Sequence, residues 1–195
     1  MIETPWIYIP VAVLVLTALF LLVNWNWRAG IVALAIQYLA VFWLTAAAWP
    51  LGLAVVKLVA GWMAGAILGA SQAGEESLEE AGSRIAGARF RLAAAVMVSL
   101  LVLSVLSGAE SRLPVPRPLL MGGLALISLG LLQLGMTVRP LRIVLGLLTV
   151  MSGFEIIYAV IETSVLLAGL LAVVNLGLAF VGAYLLAAPA LEDNP

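Results

Sequence analysis

Long apolar runs broken by short polar clusters dominate the chain. A membrane-spanning helix needs about 20 mostly apolar residues at a rise of 1.5 Å each. That ruler predicts seven spans, at 6–23, 29–49, 51–70, 90–107, 118–137, 141–162 and 165–188. The first carries Trp6 and Tyr8 at one end and Asn24-Trp25-Asn26-Trp27-Arg28 at the other. Those rings suit the membrane–water interface. Glu3 stands where a secretory leader carries basic residues, so this span is expected to be a retained helix. Proline at Pro50 and Pro140 suits the tight turns before the third and sixth spans.

Composition sharpens the picture. Of 195 residues, 65% are hydrophobic and 10% charged, against about 25% charged in ordinary globular domains. The mean hydropathy is +1.21. The fold class expected is an all-α integral membrane protein. With Cys 0 and His 0, the usual ligands of zinc, haem and iron–sulfur clusters are missing, as are the parts of a Ser-His-Asp triad. No cofactor, metal site or catalytic residue is expected. The net charge of −1 offers no general attraction to nucleic acid.

The distribution of basic residues predicts the orientation, because Lys and Arg concentrate in cytoplasmic connections. Arg28, Arg84, Arg89, Arg91, Arg139 and Arg142 fall on one side, and Arg112 and Arg117 on the other. The expected arrangement is a multi-pass protein of the inner (plasma) membrane, N-terminus outside and C-terminus cytoplasmic. The polar segment 71–89, with Glu75, Glu76, Glu79 and Glu80, is then a cytoplasmic linker or short surface helix.

A shift of 118 residues lays 43–70 over 161–188, and Thr45, Leu53, Ala54, Val55, Val56, Leu58, Leu68 and Ala70 meet identical residues. The same shift lays Gln37 on Glu155 and Lys57 on Asn175, each pair 20 residues apart within apolar spans. The pattern predicts two related three-helix units, 6–70 and 118–188, with the linker 71–89 and an extra span 90–107 between them. Repeats of this kind recur in transport folds.

Residues that are costly in hydrocarbon are the candidates for function. A charge at the centre of a spanning helix costs at least about 2.5–3.5 kcal/mol, so it should face the bundle or water. Glu155 is the sharpest case, a carboxyl suited to taking and releasing protons; the alternative is a hydrogen-bonded acid that fixes packing. Tyr158 and Glu162 follow at i+3 and i+7, with Tyr158 in reach of Glu155 and Glu162 at the end of the span. Lys57 is expected to be a proton carrier, a counter-charge to a carboxylate, or a structural ion. Gln37 and Asn175 can hold water or cross-helix hydrogen bonds. Gly61, Gly65 and Gly69 form GxxxG spacings that let helices approach closely.

The stretch from Gly123 to Leu132, Val138-Arg139-Pro140-Leu141-Arg142, and Gly153-Phe154-Glu155-Ile156-Ile157 resemble the K-type membrane subunit family of NADH–quinone oxidoreductase (complex I). The small C-type membrane protein of multisubunit sodium/proton antiporters is similar. The resemblance covers 118–188 and implies that Glu155 matches the family's buried proton-path glutamate. Asn175 stands where that family carries a second glutamate, a departure from a two-carboxylate relay. With its N-terminal half, the chain resembles the longer E-type membrane component of hydrogenase-four-type complexes. The N-terminal correspondence is at Gln37 and Lys57.

These resemblances imply a non-catalytic membrane-arm subunit of a redox-driven ion pump. Glu155, Lys57, Gln37, Asn175, Tyr158 and Glu162 would lie along its proton or sodium path. The implied partners are antiporter-like membrane subunits of a hetero-oligomeric complex in the lipid bilayer. A scaffold that joins such subunits without conducting ions is the alternative, and an autonomous homo-oligomeric transporter a third reading.

Overall fold

A computed structural model of the chain describes residues 5–72 and 84–192. Among these residues, a 3-10 turn at Pro5–Ile7 is followed by seven helices: α1 Tyr8–Val23, α2 Trp27–Thr45, α3 Leu51–Ser71, α4 Arg84–Glu110, α5 Arg117–Gly135, α6 Pro140–Ile161 and α7 Val165–Glu192. All seven are long and apolar enough to cross a membrane. The fold is an all-α, multi-pass membrane architecture, as the apolar runs predict.

Local chemistry sets the boundaries. Asn26 caps α2 by accepting from the backbone N–H of Arg28 and Ala29, groups that a helix start leaves unpaired. Pro50 and Arg139 hold extended backbone before α3 and α6. The second span closes at Thr45 rather than 49, because residues 46–49 form a turn. Its Trp49 indole donates to the Glu162 carbonyl at 3.0 Å, tying the α2–α3 connection to the α6–α7 connection. The fourth span is longer than 90–107, since α4 continues to Glu110. Of the linker 71–89, residues 73–83 with all four glutamates lie outside the described residues.

The helices form two stacked layers. In one, α1 packs on α2 and α2 on α3; in the other, α5 packs on α6 and α6 on α7. Across the layers α1 meets α5, α2 meets α6 and α3 meets α7. Each helix therefore faces the one that the 118-residue shift pairs it with. The layers are stacked in register, as by a translation. A two-fold axis running along the bundle between the layers would instead set α1 against α7. Helix α4 lies outside this grid, against α5 and α1. Three apolar clusters fill the interior, one among α1, α2, α4, α5 and α6, another among α1, α2, α3, α6 and α7, and a small one of Trp49, Ala159 and Ala168.

The tightest seam is α5 against α6. A methyl group added at Gly153 would lie 2.6 Å from the Gly123 carbonyl, and one at Gly130 would lie 3.0 Å from the Val150 backbone nitrogen. Small residues allow this backbone approach, which replaces the hydrophobic driving force absent between helices in lipid. The seam matters for the site because Gly153 is two residues from Glu155. Gly61 plays a comparable part in the other layer, where a methyl would collide with the Tyr38 ring. Gly65, by contrast, has 3.8 Å of clearance to its nearest neighbour. Gly153→Ala should destabilise the protein by about 1–3 kcal/mol through overpacking. Gly177→Ala, which meets nothing within 4 Å, should leave stability unchanged or raised. Thermal unfolding of both variants in one detergent checks the contrast.

Candidate functional site

Lys57 lies six residues after Leu51, and Glu155 six residues before Ile161. At 1.5 Å per residue each sits about 9 Å from the same end of the bundle. This equality of depth lets them meet. Lys57 Nζ pairs with Glu155 Oε2, joining α3 of the first layer to α6 of the second. Both side chains are buried, at 4% and 0% exposure. The lysine is therefore paired inside the bundle and does not reach back to the interface. The pair stands in the half of the bundle nearer the 46–50 and 162–164 connections, not at its centre.

Neighbours complete the site. Asn175 Nδ2 donates to Glu155 Oε1 at 3.2 Å, so the carboxylate is held from α3 and α7 at once. A carboxylate only accepts, which fixes the amide with its nitrogen inward. The Tyr38 ring lies 5.5 Å from the Lys57 ammonium, a cation–π contact in a water-poor setting. Gln37 Nε2 donates to Thr149 Oγ1 at 3.3 Å, and the Thr149 hydroxyl is already donating to the Leu145 carbonyl. The amide must therefore be the donor. Ser152, between Thr149 and Glu155 on α6, donates to the Leu148 carbonyl. Gln37 Oε1, Asn175 Oδ1 and the Tyr38 hydroxyl have no hydrogen-bond partner among the described residues, although all three side chains are buried.

Of the six expected site residues, the fold brings Lys57, Glu155 and Asn175 into direct contact and places Gln37 on the Thr149 rung of the same helix. Tyr158 and Glu162 do not join. The Tyr158 ring stacks on Phe154 at 5.6 Å, on the outward side of α6, while Glu155 takes its hydrogen bond from Asn175. The i, i+4 pairing with exposed Phe154 wins over the i+3 reach to Glu155. Glu162 is exposed beyond the helix end and accepts from the Thr163 backbone N–H. Conversely, Tyr38, Thr149 and Ser152 belong to the site without having stood out in the sequence. Hydroxyl side chains are ordinary in spanning helices, and only the steps of three from Thr149 to Ser152 to Glu155 on α6 give a signal.

Arg142 also differs from expectation, being in the first turn of α6 and buried rather than in a solvated connection. Its Nη2 donates to the Leu21 and Leu22 carbonyls at 2.9 and 2.7 Å, satisfying the last turn of α1. Its own carbonyl accepts from Gln133 Nε2 at 2.9 Å.

Fold and site together define a polytopic helical membrane protein built around a buried, cross-layer charge pair. No family model, curated protein or solved structure matches the chain.

A lone buried charge costs more than a pair. Removing one partner of a buried ion pair costs about 3–5 kcal/mol, whereas replacing both with apolar groups is close to neutral. Lys57→Met and Glu155→Gln should each lower the unfolding free energy by several kcal/mol. The double variant should recover most of the loss. A thermodynamic cycle on the solubilised protein measures the coupling.

Proposed function

We propose that the protein is a non-catalytic membrane-arm subunit of a complex I-like or membrane-hydrogenase-like redox-driven ion pump. In this reading it carries protons, or sodium ions, across the interface between its two layers. It sits in the inner membrane with its N-terminus outside, beside antiporter-like subunits that hold the remaining path. The residue resemblance over 118–188 supports the class. The single observation that carries the transport role is the Lys57–Glu155 pair, two ionisable groups buried together at equal depth.

The pair gives the path a switchable element. While Glu155 is ionised, it holds Lys57 by charge and Asn175 by hydrogen bond. A proton delivered to Glu155 removes the attraction that keeps the ammonium there. The repeat supplies its second position. By the 118-residue shift, Lys57 stands to Gln37 as Asn175 stands to Glu155. The α7–α6 contact is made in the second layer, and the corresponding α3–α2 contact would bring the ammonium to Gln37 Oε1, a buried acceptor with no partner among the described residues. Movement of one cation between these acceptors couples protonation of Glu155 to the charge felt by the next subunit. Asn175 Oδ1 and the Tyr38 hydroxyl add polar sites at which buried water can bridge.

The test uses the intact complex in native membranes. Glu155→Gln should lower the yield of assembled complex through its loss of stability, leave redox turnover per assembled complex in place and abolish coupled ion movement per complex, since the amide cannot release a proton. Gln37→Leu should keep the ion pair and lower pumping several-fold, because the second position is lost. Tyr158→Phe should pump normally. A scaffold role predicts something different: both site variants would then lower the yield of assembled complex and leave pumping per complex unchanged.

A further inference from the structure

At the opposite end of the bundle, three guanidinium groups surround one indole. The Arg91, Arg139 and Arg142 carbons lie 4.4, 4.9 and 4.7 Å from the centre of the Trp25 ring. The residues come from the α1–α2 connection, the eighth position of α4, the α5–α6 connection and the first turn of α6. Among the described residues the carboxylate ion pairs are Lys57–Glu155 and Arg117–Glu110, and neither involves this cluster. Within that set, three like charges share one ring without an anion among them.

Part of that charge is met by backbone. Arg142 Nη2 donates to the Leu21 and Leu22 carbonyls, and Arg91 Nη1 donates to the Leu22 carbonyl at 3.4 Å. These carbonyls form the negative end of the α1 dipole, which carries about half an elementary charge. Among the described residues about two and a half positive charges remain. Moreover, Arg142 is only 7% exposed, yet its Nε and Nη1 have no hydrogen-bond partner among the described residues. A buried guanidinium with two unused donors, flanked by two more guanidiniums, matches a tetrahedral oxyanion that accepts several charge-assisted hydrogen bonds.

Position identifies the source of the oxyanion. The cluster lies at the ends of spanning helices, where headgroups lie, and Trp25 is the kind of ring that anchors there. Phe90, 68% exposed and next to Arg91, offers an apolar surface to an acyl chain. Basic pockets between helix ends recognise anionic lipids by this combination. We propose that Trp25, Arg91, Arg139 and Arg142 form a binding site for the phosphate of an anionic phospholipid in the leaflet on the arginine-bearing side. This site is separate from the ion pair and does not rest on the transport reading.

Native mass spectrometry of the full chain in detergent, titrated with phosphatidylglycerol or phosphatidylcholine, tests the assignment. One phosphatidylglycerol should be retained in preference to phosphatidylcholine. Arg91→Gln with Arg139→Gln should weaken that retention about tenfold or more, and Arg139→Gln alone, at an exposed position, should weaken it in part. Arg28→Gln is the control, since Arg28 lies over Trp27 outside the cluster, and it should bind like the parent. Equal retention of the two lipids, or undiminished phosphatidylglycerol binding by the double variant, would overturn the proposal. Displacement of the lipid by inorganic phosphate at low concentration would assign the site to a free anion instead. A tenfold gain on replacing Glu75, Glu76, Glu79 and Glu80 by Gln would assign it to the chain's own acidic segment.

Discussion

The Lys57–Glu155 pair is the constraint around which the bundle is organised. Either group alone would be an uncompensated charge in an apolar interior, an expense of several kcal/mol that a protein of ordinary stability cannot carry. Together they become tolerable only if α3 and α6 hold them at one depth and shield them from lipid. The fold meets both conditions. The two layers are stacked so that α3 lies on α7 and α2 on α6, which puts Lys57, Glu155 and Asn175 at one junction. Tyr38 covers the lysine on the α2 side, and Gly61 makes room for its ring.

The remaining structure holds that junction in place from both ends. At the end near the pair, the Trp49 indole fastens one interhelical connection to its counterpart in the other layer. At the far end, Arg142 fastens α6 to the last carbonyls of α1. Between them, the glycine-lined α5–α6 seam brings backbones together so closely that rotation of α6, and hence of Glu155, is restricted. In lipid, where apolar surfaces gain little from meeting one another, such close packing and polar ties provide the specificity that burial supplies in water. The two layers differ at the two polar positions that the 118-residue shift superposes. Carboxylate and amide share one layer; amide and ammonium share the other. An unlike pair across the seam follows from that difference, and two layers with the same residues at these positions would have no ion pair there.

Much of this was legible in the chain. Seven apolar windows became seven helices because a bilayer forces each backbone to satisfy itself within a helix or a closed barrel. Gln37, Lys57, Glu155 and Asn175 were visible because each is an exception in an apolar run. Which of them meet was not visible, since helical periodicity gives the angle between side chains on one helix and not which side faces the bundle. Tyr158 shows the consequence: three residues from Glu155, it turns outward with Phe154. Thr149, Ser152 and Tyr38 escaped notice because their hydroxyls are common in membrane helices, and Arg142 because a basic residue beside a proline reads as a connection. The acidic run around Glu75 to Glu80 lies outside the described residues.

Lys57 is the only lysine in the sequence, so labelling lysine Nζ with nitrogen-15 gives a single ammonium signal. Dipolar recoupling between that nitrogen and carbon-13 at the glutamate side-chain carboxyl, measured on the protein in lipid bilayers, reads the ion pair directly. A buried pair predicts strong dephasing at contact distance that disappears in Glu155→Gln. Absence of dephasing in the parent protein, or dephasing that survives the substitution, would contradict it.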